Sequence, residues 1–92
     1  MTQYRKKPVV IEAMQFTGVP PDGTNAEAVV TWIGKHQSRY KHIAGDDVVI
    51  LIATLEGTMT ANVDDWIIKG VKGEFYPCKP DIFEATYDPI ET

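Results

Sequence analysis

The residues with the most chemistry to offer lie close together late in the chain. The segment Asp65-Trp-Ile-Ile-Lys-Gly-Val-Lys-Gly-Glu-Phe-Tyr-Pro-Cys-Lys-Pro-Asp81 holds three aromatic rings and three lysines within fifteen residues, around two glycines. Lysines beside aromatic faces, with turn amides between them, are the materials of an anion or nucleotide pocket. Trp66, Lys69, Lys72, Tyr76 and Lys79 therefore form the candidate ligand-binding set. Arg5 and Lys7, from the one basic run Arg5-Lys6-Lys7, are candidates to join it as a clamp on an anion. The competing reading makes Trp66, Phe75 and Phe83 core residues, with the lysines and the basic run simply solvated.

Other reactive residues are sparse. His36 and His42 flank a loop without a cysteine or carboxylate at metal-ligand spacing, so they read as surface histidines. Cys78 sits between two prolines with Lys79 beside it, a neighbour that can lower a thiol pKa. No Cys–His spacing supports a nucleophile, and a packed thiol is the better reading. The doublets Asp46-Asp47 and Asp64-Asp65 are explained by turn chemistry, although paired carboxylates can also hold a divalent metal. There is no phosphate-binding loop, dinucleotide fingerprint or nucleophile elbow. The chain is expected not to be an enzyme, and no cofactor or metal is expected.

These residues need elements to position them. Val9–Phe16 is β-branched and aromatic and reads as a strand. Gly18–Gly23 is dense in breakers. Thr24-Asn-Ala-Glu27 is a capping box, and Ala26, Val29, Val30 and Ile33 follow at helical spacing. The spacing predicts an amphipathic helix over about 25–36, weakened by Gly34. Strand signals follow at Tyr40–Ala44, Val48–Leu55 (the most apolar run), Thr58–Val63, Trp66–Lys69 and Glu74–Pro77. Gly45-Asp-Asp47, Glu56-Gly57, Asp64-Asp65 and Gly70–Gly73 mark the turns. On Trp66–Lys69, alternation places Trp66 and Ile68 on one face and Ile67 and Lys69 on the other. Pro80 suits the first turn of a short helix over Asp81–Ala85. The expected fold is α+β: a mostly antiparallel sheet of four to five short strands in β-α-β-β-β-β order. One helix packs on the sheet, and a helical turn ends the chain.

Length and charge narrow the class. Ninety-two residues make one expected domain, 1–92, with 43% hydrophobic and 24% charged residues. No apolar run is long enough to span a membrane, and the basic start is followed by Glu12 and Gln15 rather than an apolar leader core. A single cysteine fits a reducing cytoplasm. The net charge of −4 is uneven: residues 1–42 carry six bases and three acids, and residues 43–92 carry three bases and ten acids. An acidic chain is a poor duplex binder, since such binding rests on neutralising phosphates.

Two blocks, Tyr4-Arg-Lys-Lys-Pro-Val-Val-Ile-Glu-Ala-Met-Gln-Phe16 and Asp65-Trp66 through Glu84-Ala-Thr-Tyr87, resemble a family of small proteins from tailed phages and prophages. They cover about 36 of the 92 residues. In that family the second block usually opens Pro-Gly-Asp-Trp, where this chain has Val63-Asp64-Asp65-Trp66; the departure argues against a positive-φ turn at position 64, although aspartate tolerates that conformation better than most residues. The resemblance implies a phage or prophage origin and action in the bacterial cytoplasm, and it carries over no catalytic residue.

The expected function is that of a small non-enzymatic binding protein. Its sharper form is a counter-defence protein that sequesters a nucleotide-derived signal. The alternative is a protein–protein module, an inhibitor of a host enzyme or a minor assembly component, with the edge strand Thr58–Val63 or an exposed Trp32 as its contact. A homo-oligomer fits both, because a small domain gains core by pairing.

Overall fold

A computed structural model describes residues 1–5, 8–17, 25–44 and 47–90. The elements, in order, are β1 (Glu12–Gln15), α1 (Ala26–Ile33), β2 (Ser38–Ala44), β3 (Asp47–Thr54), β4 (Gly57–Ala61), β5 (Trp66–Lys69), β6 (Phe75–Cys78) and α2 (Pro80–Thr86). The class is α+β with antiparallel pairing throughout. The strands form two three-stranded sheets, β1-β5-β6 and β2-β3-β4. The division falls at the 62–65 turn, because β5 leaves β4 there and pairs with β1 instead.

Helix α1 buries Ala26, Val29, Val30 and Ile33, the four residues at i, i+3, i+4 and i+7. It ends at Ile33, three residues earlier than the periodicity suggests. Gly34 takes φ 116°, its N–H donates to Val30 O at 2.7 Å, and the chain turns toward β2. Ser38, the first residue of β2, is buried and donates its hydroxyl to Gly34 O at 3.0 Å. Thr24, the expected cap, lies outside the described residues, and Glu27 pairs with Lys35 at 3.3 Å. Asn25 ties the helix start to the end of β1: its Oδ1 accepts from Thr17 N at 2.8 Å and its Nδ2 donates to Gln15 O at 2.7 Å.

One core joins the inner faces of both sheets to α1. Val48, Ile50 and Ile52 of β3, Ala61 of β4 and Ile67 of β5 meet the helix residues and Phe16 there. Trp32 is half-buried against this core, its ring 5.1 Å from that of Phe75 and edge-on to it, so it is not the exposed contact the sequence offered. The sheet carrying β5 is buried on both sides. Ile67 faces the core, Ile68 on the opposite face is 1% exposed, and α2 lies on that second side with Phe83 stacked on Trp66.

Asp64 sits at φ 80°. A left-handed turn is thus built here on an aspartate. Asp64 N donates to Phe16 O at 2.7 Å and Gln15 Nε2 donates to Asp64 O at 3.0 Å, so its backbone alone does the work. Asp64→Gly is expected to be neutral within about 0.5 kcal/mol, as relief of left-handed strain offsets a freer unfolded chain. Asp64→Val is expected to cost about 2 kcal/mol, since a β-branched side chain fits poorly at positive φ. Urea unfolding of both variants checks this, and equal losses would refute it.

Candidate functional site

Strand alternation and hairpin geometry decide where the candidate residues go. Register pairs Trp66 with Cys78 and Ile68 with Tyr76, so these four share the face toward α2. Lys69 pairs with Phe75 on the opposite face, and its ammonium lies 6.0 Å from that ring's centre. Lys72 stands in the 70–74 turn. Lys79 precedes α2 and donates to Asp65 Oδ2 at 3.3 Å. Arg5 is exposed in the segment ahead of β1, and Lys7 lies outside the described residues. The seven do not meet in one cavity. Lys72 and Tyr76 share one, Trp66 lines another, and Lys79 is held in a structural pair.

The cavity shared by Lys72 and Tyr76 has a volume of about 840 Å³ and lies between the β3–β4 and β5–β6 hairpins. Met59, Phe75 and Leu55 give it apolar surface, while Gln37, Glu56 and Glu74 add polar groups. The β5–β6 turn is built around Glu74. Gly70 N donates to Glu74 O at 2.7 Å, Glu74 Oε2 accepts from Lys72 N at 3.0 Å, and a Cβ on Gly70 would strike the Glu74 carboxylate. A side chain at position 70 would push the Glu74 carboxylate aside and disturb its bond with Lys72 N. With Glu74 folded into the turn, no carboxylate lies within 4 Å of the Lys69 or Lys72 ammonium among the described residues.

The second cavity, about 590 Å³, is a groove between β1 with the segment before it and α2 with the segment after it. Trp66 and Phe83 stack in its wall, centroids 4.2 Å apart and planes within 6°. Tyr87 follows at 5.2 Å from Phe83. Trp66 Nε1 is the one buried side-chain nitrogen or oxygen without a hydrogen-bond partner among the described residues.

Asp65, Phe83 and Tyr87 belong to these sites and were not singled out as candidates from the sequence. Asp65 is 3% exposed, and its Oδ2 takes both Asn62 N at 2.9 Å and the Lys79 ammonium. The signal available was the four-residue spacing of Phe83 and Tyr87, one face of a helix. Lys79 does not activate Cys78, because its ammonium is drawn to Asp65. Burial pushes the Cys78 thiol up, and the Asp65 and Asp81 carboxylates add to this. The thiol is therefore protonated at neutral pH. Among the described residues no three His, Cys, Asp or Glu side chains are placed to hold a metal ion, and no helix is long and apolar enough to cross a membrane. Protein-family models, curated proteins and solved structures were compared with the chain, and none of them matches it.

Two predictions follow from this geometry. Trp66→Ala should cost about 2–3 kcal/mol through lost stacking and a cavity. Trp66→Phe should cost less than about 1 kcal/mol, because it keeps a ring on Phe83 while removing an unsatisfied N–H. Chemical unfolding distinguishes them, and a Phe variant as damaged as the Ala variant would refute the role given to the orphan donor. Tyr76 is pushed from 10.0 up to about 12, first by burial and then by its hydrogen bond with Tyr87. The folded state favours the protonated phenol, so this contribution is complete below pH 10 and is lost as pH rises from 10 through about 12. Tyr76→Phe should flatten that part of the decline in unfolding midpoint. Tyr4→Phe, at a residue 92% exposed, should leave it unchanged.

Proposed function

We propose that the chain is a small non-enzymatic binding protein of phage or prophage origin, acting in the bacterial cytoplasm. Its ligand site is the cavity between the two hairpins. The observation that supports this reading is the state of two lysines, one in the lining and one beside it. Lys72 lines a cavity of about 840 Å³ together with Phe75, and the Lys69 ammonium, outside that lining, stands 6.0 Å from the Phe75 ring centre. Neither is neutralised by a carboxylate among the described residues. That volume lies within the usual range of small-molecule sites, roughly 300–1,000 Å³.

Unpaired ammonium groups beside aromatic faces suit a phosphate joined to a flat base. Glu56, on the opposite wall, offers an acceptor for a base amino group or a ribose hydroxyl. The ligand class is accordingly a nucleotide-derived small molecule. Sequestering such a molecule would serve counter-defence, the sharper form of the function expected from the aromatic–lysine cluster. Arg5 and Lys79 have no part in this version of the site: one is remote in an exposed segment, and the other is bound to Asp65.

A thermal-shift screen with linear nucleotides, cyclic nucleotides and ADP-ribose derivatives tests the reading. A ligand at about 100 times its dissociation constant should stabilise by about 2.7 kcal/mol, several degrees in a domain of this size. The shift should vanish in the double variant Lys69→Ala, Lys72→Ala. It should persist in Lys79→Ala, which weakens the fold without touching the cavity. No shift with any of these compounds would overturn the nucleotide reading and leave a protein partner as the better one.

A further inference from the structure

The groove along β1 lies apart from the cavity between the hairpins, and its chemistry differs. Its lining is mostly apolar, and the charged residues in it are Glu84 and Asp88, both acidic. Three of its apolar members, Val9, Val10 and Ile90, are 47%, 75% and 65% exposed. Strand β1 bonds to β5 on one side and to no described strand on the other. A free strand edge beside uncovered apolar surface is a template for pairing.

We infer that this groove is the contact between two copies of the chain. β1 and the residues before it pair antiparallel with the same segment of a second copy, about a two-fold axis. The sheets β6-β5-β1 of the two copies then run on as one. Val9 and Val10 of each copy are covered at the centre of the contact, and the Trp66–Phe83 wall is closed off from solvent.

Three observations carry the choice of a second copy. The first is charge: Arg5 is exposed ahead of β1, and antiparallel pairing carries it along the partner's β1 toward the acid-lined groove. A two-fold contact needs one surface that complements itself, and a basic arm beside an acidic groove does so. The second is the character of the other edges. β6 carries Pro77, which has no N–H to give, and β2 presents exposed Arg39 and Lys41, which would repel their own copies. β4 is exposed along Gly57–Thr60, and the cavity beside it, which takes in Met59, is also lined by Glu56, Lys72 and Glu74 and is the one assigned to the ligand. The third is exposure. Tyr4 and Val10, ahead of β1, are 92% and 75% exposed, so the segment before β1 does not fold into the protomer's own core.

Sedimentation of the full chain from low to high micromolar concentration tests the inference. A monomer–dimer equilibrium that weakens with added salt is expected. Val10→Asp should give a monomer with an unchanged fold, because Val10 is already exposed in the protomer. Glu84→Arg should raise the dissociation constant about fivefold, the effect of one partly exposed charge pair. Met59→Asp on the β4 edge should leave the dimer intact. A chain that is monomeric at every concentration overturns the inference, and so does a dimer that survives Val10→Asp. A monomer that instead binds a basic–apolar peptide in the groove assigns the surface to another protein and likewise overturns self-pairing. Nucleotide binding is measured separately at Lys69 and Lys72, so neither result decides the other.

Discussion

The arrangement depends on how Phe16 is held against the 64–65 turn. Phe16 O accepts from Asp64 N at 2.7 Å, Phe16 N donates to Asp65 O at 2.9 Å, and the ring is wholly buried. Two backbone bonds around one buried ring fix the register of β1 on β5, from Gln15 opposite Trp66 to Glu12 opposite Lys69. The same turn ends the β2-β3-β4 sheet. Asp65 then secures it from the other side, its carboxylate holding Asn62 N and the Lys79 ammonium. A buried carboxylate is costly unless it is bonded and paired, so Asp65 also constrains where α2 begins, at the residue after Lys79. Both cavities are consequences: one lies beside β1, and the other lies where the β5–β6 hairpin approaches the β3–β4 hairpin.

Much of this organisation is legible in the sequence wherever the signal is local. The buried face of α1, the limits of β5 and the placing of Pro80 follow from spacing and turn chemistry, while the β3–β4 turn falls at Leu55-Glu56, one residue before the expected Glu56-Gly57. Thr54 supports that hairpin turn with its own hydroxyl, donating to Gly57 O at 2.6 Å. The pairing of β1 with β5 is not legible, because strands some fifty residues apart carry no local mark of their partner. With β1 taken by β5, the expected single sheet becomes two. The helix end shows the same limit on a small scale: Gly34 weakens a helix in general, and only the route to Ser38 makes it the stop.

The candidate site shows why closeness in sequence is a weak guide to closeness in space. Trp66, Lys69, Tyr76 and Lys79 fall within fourteen residues, yet a strand turns successive side chains to opposite faces. Lys69 therefore goes with Phe75, while Trp66 and Tyr76 go to the side of α2. Lys79 is claimed by Asp65, a residue whose doublet with Asp64 reads first as turn chemistry. Both aspartates do serve the turn, by different means. Asp64 supplies a tolerated positive φ, and Asp65 supplies a buried acceptor.

The uneven charge of the chain acquires a physical meaning once the cavities are placed. The acidic excess of residues 43–92 is not spread evenly over the surfaces those residues build. At the hairpin cavity Glu74 is folded into its own turn, and among the described residues neither Lys69, beside Phe75, nor Lys72 meets a carboxylate. At the β1 groove the lining acids Glu84 and Asp88 have no base among the lining residues. A short chain has little interior in which to bury specificity, because its fraction of buried surface is small. Here the contrast is carried at the surface: the hairpin cavity sets Lys72 among Glu56 and Glu74, with Glu74 drawn into its own turn, whereas the charged residues lining the β1 groove are both acids.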